Sequence, residues 1–477
     1  MIGNSTIFVK QLLVVALLGG GFLVGGCMVG SDYVRPDTSA QLPTDFKVPV
    51  GWKVAEPSDR EARGAWWRRF GDAELNRLME RVGRENFSVR AAYFRVEQAR
   101  SAVSLGRGEL EPRLNFDPSV ERRRSSGNTQ SGNASFSGSS STRIDLPLVF
   151  GYELDLWGRL RRGLQAAEAE AAASEEEYHN VLLSLQGDLA TAYLSARAID
   201  REIEILGEGL GLRPKSLELN RKRFKVGDID EVDVSRAETE VSATEAEILG
   251  LRKDRAELED LVALLVGVPS SDFRLAAAPL TGAPPRVPGT VPSALLERRP
   301  DIARAERTMQ AANGRMGAAE AALYPTVSLS AGLGLAGSDV GRVLRSDSRT
   351  WELIPAASVP LLDGGRRKVE LERSGFRYQE TVAEYRQSIL NAVREVDDAL
   401  TAISLVNQQA AAQGRTVVSA RRTVELSQKR YDAGLVAYFD VVDAQRTALE
   451  AERTAARIDG ARHLATVALI KAVGGDL

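Results

Sequence analysis

The chain has 477 residues and a formal net charge of −3, with aromatic residues at only 6% of positions against 27% charged. No basic surplus is present to hold phosphate backbones, which argues against nucleic acid as a partner. Alanine-rich, charge-rich helical pattern over this length points away from several ordinary globular domains and toward long helices packed side by side.

Residues 7 to 23 are largely apolar, with Lys10 near their start. The run is too short and too broken by glycine for a spanning helix, and it fits the core of a signal peptide over 1–26. It stops at Leu23-Val24-Gly25-Gly26-Cys27, where small residues precede the only cysteine in the chain. That arrangement is similar to a bacterial lipobox and predicts cleavage before Cys27 and palmitate on its thiol. The plainer alternative is an ordinary signal peptide followed by a chance cysteine. A lone cysteine makes no internal disulfide. Met28, where an aspartate would favour retention at the inner membrane, points by resemblance to lipoproteins of the outer membrane. The segment 27–72 then reads as a lipidated N-terminal stretch.

A helix is expected over about 73–106, followed by a strand in which Leu114, Phe116, Pro118 and Val120 alternate with polar residues. A second run alternates Ile144, Leu146, Leu148, Phe150, Tyr152, Leu154 and Leu156 with Asp145, Glu153, Asp155 and their neighbours. Period two gives each run one apolar and one polar or small face. Each run is about ten residues, the length a tilted strand needs to cross a bilayer. A soluble sheet with one wet face would read the same way, and the outer-membrane signal upstream decides between them. Between the runs, Ser125 to Ser141 is almost entirely Ser, Gly, Asn and Thr, the composition of a mobile external loop.

From Arg159 a helical pattern runs to Phe224, with an interruption expected around Gly207 to Pro214. Val226-Gly227-Asp228 then supplies the residue a tight helix–helix turn wants, and a return helix spans about 231–266. After a Pro-rich linker at 279–292 the chain starts again. A helix over about 300–323 leads into Val327, Leu329, Ala331, Leu333 and Leu335, and then into a weaker alternation from Trp351 to Leu361. Gly337 to Ser348 is the shorter partner of the first external loop. A helical pattern without proline runs from Arg366 to Asp432, about 67 residues or roughly 100 Å. Ala433-Gly434-Leu435 turns it, and a return helix spans about 439–473. Arg223-Phe224-Lys225-Val226-Gly227 thus returns as Arg430-Tyr431-Asp432-Ala433-Gly434, about 207 residues later, and the strands repeat as well. The chain is a duplication, with repeats over 73–278 and 293–477.

A spanning sheet must close, because an open edge leaves unpaired N–H and C=O groups in lipid. Four strands cannot close a barrel, so copies must associate: two would give eight strands and three would give twelve.

The chain resembles a known family at Asp32-Tyr33-Val34-Arg35-Pro36, Trp66-Trp67 with Phe70, and Tyr152-Glu153-Leu154-Asp155-Leu156-Trp157-Gly158-Arg159. Further matches lie at Leu295-Leu296-Glu297-Arg298-Arg299-Pro300-Asp301-Ile302, Pro360-Leu361-Leu362-Asp363-Gly364-Gly365-Arg366 and Asp440-Val441-Val442-Asp443-Ala444-Gln445. Together these look like the TolC-like outer-membrane factors, in the NodT or OprM-like lipoprotein branch. The resemblance implies a mainly α protein with membrane β: a trimer with a twelve-stranded transmembrane β-barrel, four strands per chain, continued by a long α-helical barrel in the periplasm. It implies an outer-membrane, lipid-anchored exit channel of a tripartite efflux pump. Its partners would be a periplasmic adaptor (a membrane fusion protein) and an inner-membrane pump that supplies the energy. The alternatives are a channel for type I protein secretion and a periplasmic structural or adaptor scaffold, which would not conduct.

Nothing in the sequence carries catalysis. His179 and His463 stand alone on helices, and no phosphate-binding loop or metal-ligand spacing is present, so neither enzyme activity nor a cofactor is expected. Asp440 and Asp443, at i and i+3, share one helix face just past the second Gly turn. The resemblance implies that they ring the periplasmic mouth as a pore constriction favouring cations, and that Tyr431 belongs to the gate. The family's latching arginine would fall at Val436, so another closure is expected. One possibility is Arg236, which stands in the first repeat where Asp443 stands in the second, against a carboxylate of the neighbouring helix pair. The tips at Gly227 and Gly434 are expected to meet the adaptor.

Overall fold

The computed structural model describes residues 28–35, 64–126, 140–286 and 298–475. Residues 1–27, with the expected signal peptide and Cys27, lie outside them, as do most of the first external loop and part of the linker. The chain divides into two compact units, and each draws on both halves of the sequence: one from 1–36, 97–173 and 306–384, the other from 37–96, 174–305 and 385–477.

The first unit is built on an antiparallel sheet. Its strands are β1 (Arg113–Phe116), β2 (Ser119–Arg124), β3 (Ser140–Leu154), β4 (Thr326–Gly337) and β5 (Arg349–Ser358). The order is β1 and β2 on β3, then β4, then β5. The single first strand read from the sequence is thus two pieces, because Pro118 has no N–H to give the ladder. Both pieces keep one register on β3, with Phe116 opposite Leu148 and Ser119 opposite Asp145. The four-stranded topology is therefore intact. The last alternation, expected to run to Leu361, ends at Ser358, before Pro360.

Cross-strand pairing aligns the alternating faces into continuous rows. Phe116, Leu148, Leu333 and Trp351 form one row of the apolar face, and Leu114, Phe150, Ala331 and Leu353 form the next. The opposite face carries Asn115, Val149, Gly332 and Glu352, then Arg113, Gly151, Ser330 and Ile354. Every residue of β1, β2 and β5 is exposed. The sheet therefore ends in two unpaired edges, and its apolar face is open except at Ile144, 6% exposed, beside Gly337 and the Val343 that packs on it.

Below the sheet, Trp157 stacks on Tyr324 with ring centroids 4.9 Å apart and donates its indole N–H to the Pro325 carbonyl at 2.8 Å. The segment 28–35 is strapped to the same unit. Val29 donates to the Trp157 carbonyl at 3.0 Å. The Arg162 side chain, 3% exposed, donates to the carbonyls of Val29 and Gly30 and pairs with Asp32 at 3.1 Å. Arg35 pairs with Glu306 at 2.7 Å.

Besides a one-turn helix over Val340–Val343, the described helices are α1 (Ala73–Glu85), α2 (Phe87–Glu109), α3 (Arg159–Lys225), α4 (Glu231–Val266), α5 (Pro300–Ala321), α6 (Arg366–Asp432) and α7 (Tyr438–Ala472). The lead-in helix expected over 73–106 is broken at Asn86. Its Oδ1 accepts from the N–H groups of Ser88 and Val89, capping α2, while its Nδ2 donates to the Leu265 carbonyl at 2.8 Å. Conversely, α3 is not interrupted between Gly207 and Pro214. The proline removes one N–H···O bond, but a helix of this length propagates on both sides of the defect. Next to it Arg213 clamps the helix to α4, donating to the Glu240 carbonyl at 3.1 Å and to the Thr244 hydroxyl.

The core of the second unit gathers Leu75, Leu78, Met79 and Val82 of α1, Leu189 and Tyr193 of α3, Val262 and Val266 of α4, and Val467 and Ile470 of α7. Burial of each such side chain stabilises by about 1.5–3 kcal/mol. Among the described residues no helix is long and apolar enough to cross a membrane.

Candidate gate at the tips of the helical hairpins

Helices α3 and α4 meet at Gly227, and α6 and α7 meet at Gly434. The two turns have the same hydrogen-bond pattern. Gly227 donates to the Phe224 carbonyl at 3.0 Å and Asp228 to the Arg223 carbonyl at 3.0 Å; Gly434 donates to Tyr431 and Leu435 to Arg430, both at 2.9 Å. Both glycines are left-handed, with φ of 76° and 69°. A Cβ at either would meet nothing within 4 Å, so only the backbone angle demands glycine there. The tips present apolar side chains to solvent: Val226 is 79% exposed and Leu435 69%.

A hydrogen bond joins the two hairpins at their tips. The Arg223 guanidinium donates to the Tyr431 hydroxyl and lies near its ring, and donates to Asp228 at 2.6 Å. The Asp228 carboxylate, with the phenol beside it, holds this guanidinium above its already high ordinary value. Tyr431 in turn packs against Tyr438 of α7, with centroids 5.5 Å apart. The sequence singled out Tyr431 but not its partner. The available signal was the repeat itself, which aligns Arg223 with Arg430 and Phe224 with Tyr431.

Asp440 is exposed in the first turn of α7, and its carboxylate accepts from the Ala437 N–H at 3.1 Å. This caps the helix and places negative charge at its positive end. Asp443 is half-buried and accepts from Arg446 at 3.0 Å. With Asp233, Arg236, Tyr438 and Phe439 it lines a groove of about 350 Å³ between α4 and α7. Within the chain Arg236 lies 3.8 Å from Asp233 on its own helix, and its guanidinium sits 5.0 Å over the Phe439 ring of the neighbouring hairpin. The structure thus brings Arg236 to an aromatic face of the adjacent pair, and gives Asp443 to Arg446. Val436 is half-buried beside the turn and supplies no charge.

His463, 3% exposed, is far along α7 from this site and is a core residue. Its Nδ1 contacts the Asp459 carbonyl at 2.8 Å and its ring faces Phe70. Among the described residues no group of three or more His, Cys, Asp or Glu side chains is placed to hold a metal ion. Charged and aromatic side chains thus gather at the ends of the paired hairpins.

Residues 78–268 and 291–475 match a family model described as outer membrane efflux protein. The chain is 28% identical over 454 residues to the cation efflux system protein CusC of Escherichia coli, covering 94% of this chain and 96% of that one. It is 31% identical over 471 residues to the solvent efflux pump outer membrane protein SrpC of Pseudomonas putida, covering 98% of each. The solved structure of the outer-membrane channel OprN superposes with a TM-score of 0.84 at 27% identity, covering 94% of this chain and 99% of that one.

Proposed function

The chain belongs to the outer membrane efflux protein family, and from that premise we propose how it works. It is an outer-membrane channel with a periplasmic helical part, a passive exit duct for small molecules driven from the inner membrane. Three copies close their sheets into one twelve-stranded barrel, β5 of each beside β1 and β2 of the next. A periplasmic adaptor links the channel to an inner-membrane pump and docks on the tips at Gly227 and Gly434. Acylated Cys27 adds a lipid anchor to the barrel. The repeats 73–278 and 293–477 are the two halves of an ancient duplication. Asp440, Asp443 and Tyr431 form the constriction at the periplasmic mouth. CusC is named for cations and SrpC for solvents, so family membership leaves the cargo class of this chain open.

The observation that carries this reading is the sheet: an apolar face open along most of its length, a polar opposite face with small residues, and two fully exposed edges. In lipid such edges require pairing, and copies of the same chain supply it. The opposed face then lines water. The chain acts as a conduit, with no chemistry of its own. Reconstitution of the full-length protein in planar bilayers tests this. Discrete conductance steps from a species of three-fold chain mass are expected; protein that inserts without conducting would leave the scaffold reading in its place.

A further inference from the structure

The charges of the sheet are sorted by face. On the apolar face the charged side chains are three arginines, Arg122 and Arg124 of β2 and Arg349 of β5, whose cross-strand partners are Thr142, Ser140 and Leu335. The acidic residues Glu121, Asp145, Glu153 and Glu352 all fall on the opposite face, opposite Arg143, Ala336, Ser328 and Gly332 respectively. Because the strands are antiparallel, the end of β2 and the start of β5 lie at one end of the sheet. It is the end opposite to those from which β3 enters α3 and β5 leads on to α6. All three arginines are exposed, and none has an ion-pair partner among the described residues. Just inside them on the same face lie Val120, 71% exposed, and Trp351, 80% exposed, while Ile144 between them is buried at 6%.

We propose that Arg122, Arg124 and Arg349 bind the phosphate groups of an outer-leaflet glycolipid. The proposal rests on the outer-membrane channel reading, which turns this end of the sheet outward. Trp351 and Val120 followed by cations with no ion-pair partner among the described residues give the profile of a surface that passes from acyl chains to anionic headgroups. Guanidinium forks match phosphate oxygens bidentately, which an ammonium does not, and all three positions are arginine. Closure of the barrel brings the Arg349 edge beside the Arg122 and Arg124 edge of the next copy. The seam then gathers like charges with no carboxylate among the described strand residues of their face, and a bound anion offsets that repulsion. The lipid rather than a free anion is the occupant because the cluster sits on the face that meets acyl chains. On the other face, Arg143 is already paired with Asp145 at 2.7 Å.

The test uses the full-length protein, delipidated in neutral detergent, with bound lipid counted by native mass spectrometry. The probes are bisphosphorylated lipid A, the same lipid enzymatically dephosphorylated, and inorganic phosphate. Charge-assisted contacts lead us to expect about ten-fold or tighter binding of the phosphorylated lipid. Arg122→Gln, Arg124→Gln and Arg349→Gln together should abolish the preference, whereas Arg123→Gln, on the opposite face, should keep it. Equal binding of the two lipids by the wild type overturns the proposal, as does an undiminished preference in the triple variant. Inorganic phosphate competing as tightly as the lipid phosphate overturns the lipid assignment. The wild-type lipid comparison decides even where the triple variant fails to assemble. Bilayer conductance is measured on the same samples: conducting wild type without phosphate preference ends this proposal alone, and absent conductance ends the channel reading with it.

Discussion

Tyr431→Phe isolates the hydrogen bond that Arg223 makes from one hairpin to the other. The substitution removes the phenolic oxygen that accepts from Arg223 and keeps the ring, including its packing on Tyr438. Arg223 retains Asp228 at 2.6 Å, so no buried charge is stranded. The Arg223 side chain is 31% exposed and that of Asp228 55%, so solvent screens the site. A contact of this kind contributes about 0.5–1 kcal/mol per chain. Three copies breaking together on opening would contribute about 1.5–3 kcal/mol, or roughly ten- to a hundred-fold in the open-to-closed ratio. Single-channel recording in planar bilayers reads that ratio as open probability. A double-mutant cycle with Arg223→Gln separates the shared contact from the loss of the Asp228 pair. Unchanged open probability in Tyr431→Phe, or strict additivity in the cycle, would refute the reasoning and leave the contact a bystander of the tip.

The paired change Asp440→Ala and Asp443→Ala should raise conductance, weaken cation selectivity and abolish block by multivalent cations; unchanged selectivity and block would place both carboxylates outside the conduction path. Gly227→Val or Gly434→Val forces a β-branched residue into a left-handed backbone at a cost of about 1–2 kcal/mol, so efflux in a resistance assay should fall while assembled protein persists. Cys27→Ser should lose metabolic palmitate label yet remain partly in the membrane, since a spanning barrel holds better than one acyl chain; equal label in both proteins would refute the assignment. Burial pushes His463 below its ordinary value of 6.5, against the weaker pull of the Asp459 carbonyl. The unfolded chain then binds the proton more readily, so stability should be complete above about pH 6.5 and decline as pH falls toward the folded-state value. Thermal melts from pH 7.5 to 5 should show that decline, and His463→Leu should flatten it.

What was legible in the sequence was whatever depends on period or on a single residue's conformational freedom. Alternation in Ile144 to Leu154 and Val327 to Leu335 is a property of neighbours two apart, so the faces could be assigned before any pairing was known. Gly227 and Gly434 declared their turns because few other residues tolerate that backbone. The errors came where tertiary contacts outvoted local pattern. Asn86 breaks a helix whose hydrophobic stripe continues, because its amide finds Leu265, nearly two hundred residues away. Pro214 leaves α3 unbroken, because flanking helix and the Arg213 clamp outweigh one missing bond. Within the candidate gate Tyr431 was legible through the family resemblance, but its contact with Arg223 was not: which side chain crosses from one hairpin to the other depends on packing, which one sequence does not contain.

The duplication was not kept symmetrical. Both turns share one backbone, yet Arg223 reaches Tyr431 while the mirrored pair would be Arg430 and Phe224, and Phe224 has no hydroxyl to accept. In a three-copy assembly the backbone would offer six nearly equivalent tips, whereas the side-chain chemistry distinguishes two alternating kinds. A pseudo-sixfold rim would therefore carry a threefold lock. A ring of docking partners could match the rim six at a time only by tolerating both kinds of tip, or three at a time by choosing one. Divergence after duplication would thus have let one ring of tips serve docking at every position and closure at every second one.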